Sequence, residues 1–117
     1  MTTREVAEAF AALCKEGRHH EAGERFWAED VISLEPMDGP MAVSKGRAAV
    51  EAKSAWWYAN HEVHGGNTEG PFVHGQQFAL IFDLDVTEKA TARRMQMREV
   101  GLYTVKAGKV VEERFLF

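Results

Sequence analysis

Four carboxylates stand where acid–base chemistry would want them, and each carries a plainer alternative. Glu35 closes the short apolar stretch Val31-Ile32-Ser33-Leu34, just before Pro36. Desolvated at a pocket mouth, a strand-end carboxylate there would have its pKa raised toward neutrality, as a general base requires. Otherwise it is a solvated acid or a partner for Arg47. Glu99 alternates with Met97 and Tyr103 along one strand face. Facing a pocket, it is a second carboxyl that can be held protonated as a hydrogen-bond donor. Facing water, it pairs across strands with Arg93, Lys109 or Arg114. Asp83 and Asp85 share a face two residues apart. With Arg98 or Arg114 between them they would straddle a water, as in epoxide hydrolysis; the bland reading, favoured more for Asp85, is a charged face nearing a turn. The Tyr103 hydroxyl either meets a ligand or simply packs.

His61, His64 and His74 invite a metal reading. His61 and His64 are three apart in an extended segment, so their side chains point to opposite faces. No HxH pair or HExxH motif occurs. No metal and no cofactor is expected; a rim or proton-shuttle role for one histidine is preferred. His19 and His20 begin a helix and read as solvent-facing. Cys14, the single cysteine, follows Leu13 on an apolar helix side and reads as a small core residue.

The elements that must position these groups come in a definite order. Val6, Ala9, Phe10 and Leu13 fall at helical spacing, so residues 3–16 form an amphipathic helix, capped by Thr2 or Thr3 and stopped at Gly17. A second helix covers 19–28, with Ala22, Phe26 and Trp27 inward and Asp30 breaking it before a short strand, 31–35. Residues 37–45, with Gly39 and Pro40, read as a loop. A third helix spans 47–60 with Ala49 or Val50, Ser54, Trp57 and Lys53 along its inner side. Trp56 and Trp57 are about 100° apart on it, so one faces the core and the other a rim.

Everything after Asn60 is strand. Residues 62–71 are polar and Gly-rich and read as an edge or bulged strand. In 77–86, Phe78, Leu80, Phe82, Leu84 and Val86 face one way; residues 87–92 form a turn. In the last two strands Met95, Met97, Glu99, Gly101, Tyr103 and Val105 form one face, as do Val111, Glu113, Phe115 and Phe117. The layout is α+β: a strongly curved antiparallel or mixed sheet around three helices, a cone with an apolar hollow at its wide end. Trp27, Trp57, Phe82, Met97, Tyr103 and Phe115 are the expected lining for a small apolar or aromatic molecule. Both faces of the final strands carry apolar groups, so a second copy of the chain, docked on the outer sheet face, is the expected cover.

The 117 residues form one domain. A net charge of -4 and 14 dispersed Lys and Arg argue against a nucleic-acid or anionic-membrane partner. No apolar run is long enough to span a bilayer, the N-terminus has no signal-peptide pattern, and one cysteine fits a reducing compartment, so a cytoplasmic location is expected.

Three joints carry a resemblance: Phe26-Trp27-Ala28-Glu29-Asp30-Val31, Gly46-Arg47 before the third helix, and Ala107-Gly108-Lys109-Val110-Val111 followed by Arg114-Phe115. With the element order, they make the whole chain resemble the SnoaL-like branch of the nuclear transport factor 2-like superfamily, which includes ketosteroid isomerases and polyketide cyclases. The resemblance implies a cofactor-independent isomerase or cyclase working by proton abstraction, or a ligand-binding or association domain on the same fold. Glu35-Pro36 matches the isomerase base, and the second oxyanion donor falls near Glu99 or Val100. The helix 1 tyrosine of the isomerases matches Phe10, which has no hydroxyl.

Overall fold

A computed structural model describes all residues, 1–117. The order is α1 (Thr3–Lys15), α2 (His19–Phe26), β1 (Trp27–Leu34), β2 (Val43–Lys45), α3 (Arg47–Asn60), β3 (His61–His74), β4 (Gln77–Glu88), β5 (Arg93–Lys106) and β6 (Lys109–Leu116). The strands form one six-stranded mixed sheet in the order β2-β1-β6-β5-β4-β3. Only the β1–β6 pair is parallel. The sheet is curled and open, with the three helices against its inner face.

Each start and stop has a local cause. Thr2 Oγ1 accepts the Glu5 N–H at 3.1 Å and Glu5 Oε1 accepts the Thr2 N–H at 2.9 Å, so α1 begins with a reciprocal cap. Gly17 supplies the left-handed turn after it, at φ 78°. The α1 stripe is wider than the helical spacing predicts: Ala7, Ala11 and Cys14 are buried along with Val6, Phe10 and Leu13. Phe10 anchors it, its ring 4.7 Å from Tyr103, 5.6 Å from Phe78 and 6.2 Å from Phe26. Arg47 explains why an arginine opens α3. Its guanidinium donates to the carbonyls of Trp27 (2.7 Å) and Glu24 and to Glu51 (2.9 Å), so it ties off the end of α2.

Four expectations change. Helix α2 ends at Phe26, and Trp27 already belongs to β1, so Asp30 breaks nothing. Glu29 and Asp30 are exposed within the strand because the register with β6 slips between Trp27 and Ile32, letting the polar pair bulge to water. The expected loop before α3 contains β2, which folds back on β1 with Leu34 opposite Val43; the Ala42 N–H donates to Gly39 O at 3.1 Å in the turn. Strand β4 runs on to Glu88, shortening the expected turn. In β6, Val105 faces Val110 but Thr104 faces Glu112, so one residue is inserted. Strict alternation therefore fails, and Val110 and Glu113 are both buried inward. The edge reading of 62–71 holds: β3 is the outermost strand, with register slips between Val63 and Gly65 and between Glu69 and Phe72.

Glycines create the space that aromatic rings use. A Cβ on Gly23 would lie 2.2 to 2.5 Å from the Trp27 ring. Alanine ordinarily stabilises a helix interior by about 1 kcal/mol relative to glycine. Here the clash reverses the sign, and Gly23→Ala is expected to destabilise the protein by about 1–3 kcal/mol, read as a lower urea midpoint at unchanged slope.

Candidate functional site

The inner face of the sheet and helix α3 enclose a cavity of about 440 Å³. Its walls are mostly apolar, and all six expected lining residues, Trp27, Trp57, Phe82, Met97, Tyr103 and Phe115, contribute to them. Both tryptophans of the α3 pair reach it: Trp57 is half-buried and stacked on His61 at 4.4 Å, while Trp56 is 50% exposed at the rim. The Tyr103 ring packs between Phe10 and Phe78, and burial pushes its hydroxyl well above the usual tyrosine range.

A polar chain crosses one wall. The β1–β6 register sets Ser33 beside Glu113. Glu113 is buried, with Trp27 Nε1–H donating to Oε1 at 2.7 Å and the Ser33 hydroxyl to Oε2 at 2.7 Å. Lys53, from the inner side of α3, donates to Ser33 Oγ and to Glu35 Oε1 at 3.0 Å. Its ammonium also lies 5.4 Å from the Phe115 ring centre. Serine thus relays between a cation and a carboxyl: its oxygen accepts from lysine and its proton goes to Glu113. Burial pushes Glu113 above the usual carboxylate range, while the Ser33 and Trp27 bonds and Lys53 pull it back.

Glu99 is different. Opposite Phe82 in the β4–β5 ladder, it lines the cavity with no hydrogen bond or ion pair to the protein. Burial, then the charge of Glu35, push its pKa up to about 7, with Lys53 partly opposing. None of the pairs foreseen for a solvated Glu99, with Arg93, Lys109 or Arg114, is made. Glu35 pairs with Lys53 rather than Arg47, which is occupied at the α2–β1 joint.

Asp83 lies elsewhere. It is on the other sheet face in an ion pair with Arg98 at 2.7 Å, and Asp85 pairs likewise with Arg94 at 2.7 Å. Neither lines the cavity, and the arginines close off the two carboxylates instead of sharing a water. His61 Nδ1 lies 2.8 Å from Trp57 O and His64 Nε2 2.7 Å from Thr87 Oγ1. The solvent-facing reading of His19 and His20 is overturned: both line the cavity, His19 packing on Phe82 and His20 against Trp27. The short α2 turns its first residues under α3, which its two-histidine start does not announce. Cys14 is buried, and burial pushes its thiol up to about 12. Sequence reasoning passed over Glu113 as a site residue; its signal was a carboxylate alternating with Phe115 on an apolar face.

The profile of the SnoaL-like domain matches residues 1–117. The chain belongs to the SnoaL-like family. A candidate SnoaL-like polyketide cyclase from Mesorhizobium loti is 56% identical over the full length of both chains, with a TM-score of 0.97. Fold alone is shared with two more distant structures. An NTF2-like protein from Burkholderia xenovorans is 21% identical, covering 97% of this chain and 87% of its own, at TM-score 0.77. A protein of ketosteroid isomerase-like fold from Catenulispora acidiphila, in complex with trimethylamine, is 16% identical over 99% and 87%, at TM-score 0.73. No curated protein matches the chain.

An open, buried acid leaves a pH signature on stability. The raised pKa of Glu99 means the folded state holds its proton more tightly than the unfolded chain does. The penalty of burying its charge is absent below about pH 4 and grows as pH rises to about 7. Glu99→Gln is therefore expected to match the parent Tm at pH 4 and to exceed it at pH 8, where its stability should be greater by up to about 3 kcal/mol. Thermal melts at the two pH values check this.

Proposed function

We propose that this SnoaL-like protein is a cofactor-independent isomerase or cyclase that abstracts a proton next to the carbonyl of a small apolar or aromatic compound. The observation that carries the reading is the pair of unlike carboxyl groups in one apolar cavity: Glu35 bound to an ammonium, Glu99 bound to nothing. Environments that treat two acids differently divide the roles of base and acid between them. Lys53 holds Glu35 through Oε1, leaving Oε2 to take the substrate proton. Protonated Glu99 donates a hydrogen bond to the developing enolate oxygen, where a low-dielectric wall strengthens it. Return of the proton to another carbon gives isomerisation; attack of the enolate carbon on a second carbonyl closes a ring.

The aromatic and methionine lining favours a second reading, in which the same cavity binds such a molecule without turnover. Two copies are further proposed to pair through the outer sheet face. There Ile81 is paired with Val100, and Val100 with Leu116, a residue 46% exposed. No helix is long and apolar enough to cross a membrane, and a lone buried thiol is compatible with a reducing cytoplasm.

Deuterium exchange at the α-carbon of small aromatic ketones, followed by NMR, tests the first reading. Glu35→Gln is expected to lower kcat by about 10²–10⁴, and kcat/KM should fall as pH rises through about 7, where Glu99 loses its donor proton. Turnover that survives Glu35→Gln removes Glu35 from the mechanism; binding with no exchange in the parent protein leaves the ligand-binding reading. Sedimentation is expected to give twice the chain mass at micromolar concentration, and Val100→Glu to return it to one chain.

A further inference from the structure

We propose that Ser54, His20 and Glu24 form a nucleophilic triad at the edge of the cavity, able to take an acyl group from an ester of a small apolar or aromatic acid. His20 Nδ1 lies 2.7 Å from Ser54 Oγ, and His20 Nε2 lies 2.6 Å from Glu24 Oε1. The hydrogen-bond directions follow from the groups. A carboxylate only accepts, so Nε2 carries the proton and donates to Glu24. In the neutral ring Nδ1 is then a bare lone pair, and the Ser54 hydroxyl must donate to it. That is the arrangement that activates a serine, recognised by geometry and role whichever ring nitrogen faces it.

The surroundings support the assignment. The Glu24 carboxylate has His20 as its ion partner; the nearby Arg18 is taken by Glu16 and Glu21. The imidazole is held edge-on to Trp27 at 5.9 Å and to Tyr58 at 6.4 Å. Ser54 lines the apolar cavity, while His20 lines both that cavity and a smaller, more open hollow of about 350 Å³ beside Glu24. An acyl group can therefore arrive from one side and water from the other. Ser54 Oγ bonds to the ester carbonyl carbon as its proton passes to Nδ1. The adduct collapses, breaking the bond to the alkoxide, which leaves with that proton. Water then attacks the acyl-serine by the same two steps, releasing the acid and restoring the hydroxyl. Lys53 is the one lysine or arginine lining the cavity, and it serves the oxyanion by exchanging its bond to Ser33 or Glu35.

Incubating the full chain with an alkyl fluorophosphonate and locating the adduct by peptide mass spectrometry tests the triad. One phosphonyl adduct is expected, on Ser54, and none there in Ser54→Ala. His20→Asn should lower the labelling rate at least about tenfold, and Glu24→Gln should lower it with an unchanged Tm. No adduct on Ser54, or a His20→Asn protein labelled there at the parent rate, would overturn the proposal. Loss of Tm in Ser54→Ala with no labelling of the parent would likewise reduce the cluster to a tether between α2 and α3.

Discussion

One ammonium group organises the acids of the cavity. Lys53 is the only cationic side chain of its kind on the cavity wall, and three carboxyl groups, Glu35, Glu99 and Glu113, face or reach toward it. A single charge cannot neutralise three. It binds Glu35 directly, reaches Glu113 through Ser33, and leaves Glu99 to its own burial. Buried charges persist only when paired and hydrogen-bonded; otherwise the group moves its pKa and becomes neutral. Burial is the main force raising Glu99 and Glu113, and Lys53 opposes it in both.

The scaffold makes this arrangement possible by holding the lysine still. Helix α3 is clamped at its start by Arg47, which spans Trp27, Glu24 and Glu51, so the turn carrying Lys53 and Ser54 has little freedom to rotate. On the opposite wall the Phe10, Phe26, Phe78 and Tyr103 rings pack α1 and α2 against β4 and β5. Gly101 lets the Tyr103 ring lie over its own strand, where a Cβ would come within 2.8 Å of it. The aromatic layer fills one end of the curl. The other end is left hollow, and the unpaired acid lies there.

A carboxyl with no hydrogen-bond or ion partner in an apolar wall is a cost to stability that Lys53 offsets only in part. Such strain concentrates where a protein meets a ligand. The outer face shows the opposite policy: Asp83 and Asp85 are matched by Arg98 and Arg94 in exposed pairs, each contributing little to stability. The contrast between satisfied outer acids and an unsatisfied inner one is the strongest functional signal in the molecule.

Much of this was legible in the chain. The helical stripe of Val6, Phe10 and Leu13, the alternation of Phe78, Leu80 and Phe82, and the inward side of Lys53 are encoded by residues a few positions apart, whose geometry is set by the backbone period alone. The same local rules put Glu99 on the face of Met97 and Tyr103. They could not find the exposed Glu29-Asp30 bulge, because it depends on β6, a strand far off in the sequence; β2, only three residues long, left too short a pattern to read. Nor could they assign partners. Lys53 meets Ser33 and Glu35 where α3 packs on β1, and is linked on to Glu113 only because a parallel β1–β6 pairing brings residues some 80 positions apart to one site. Which acids are paired and which stands alone is decided by charge separations in space, and tertiary packing alone sets those distances.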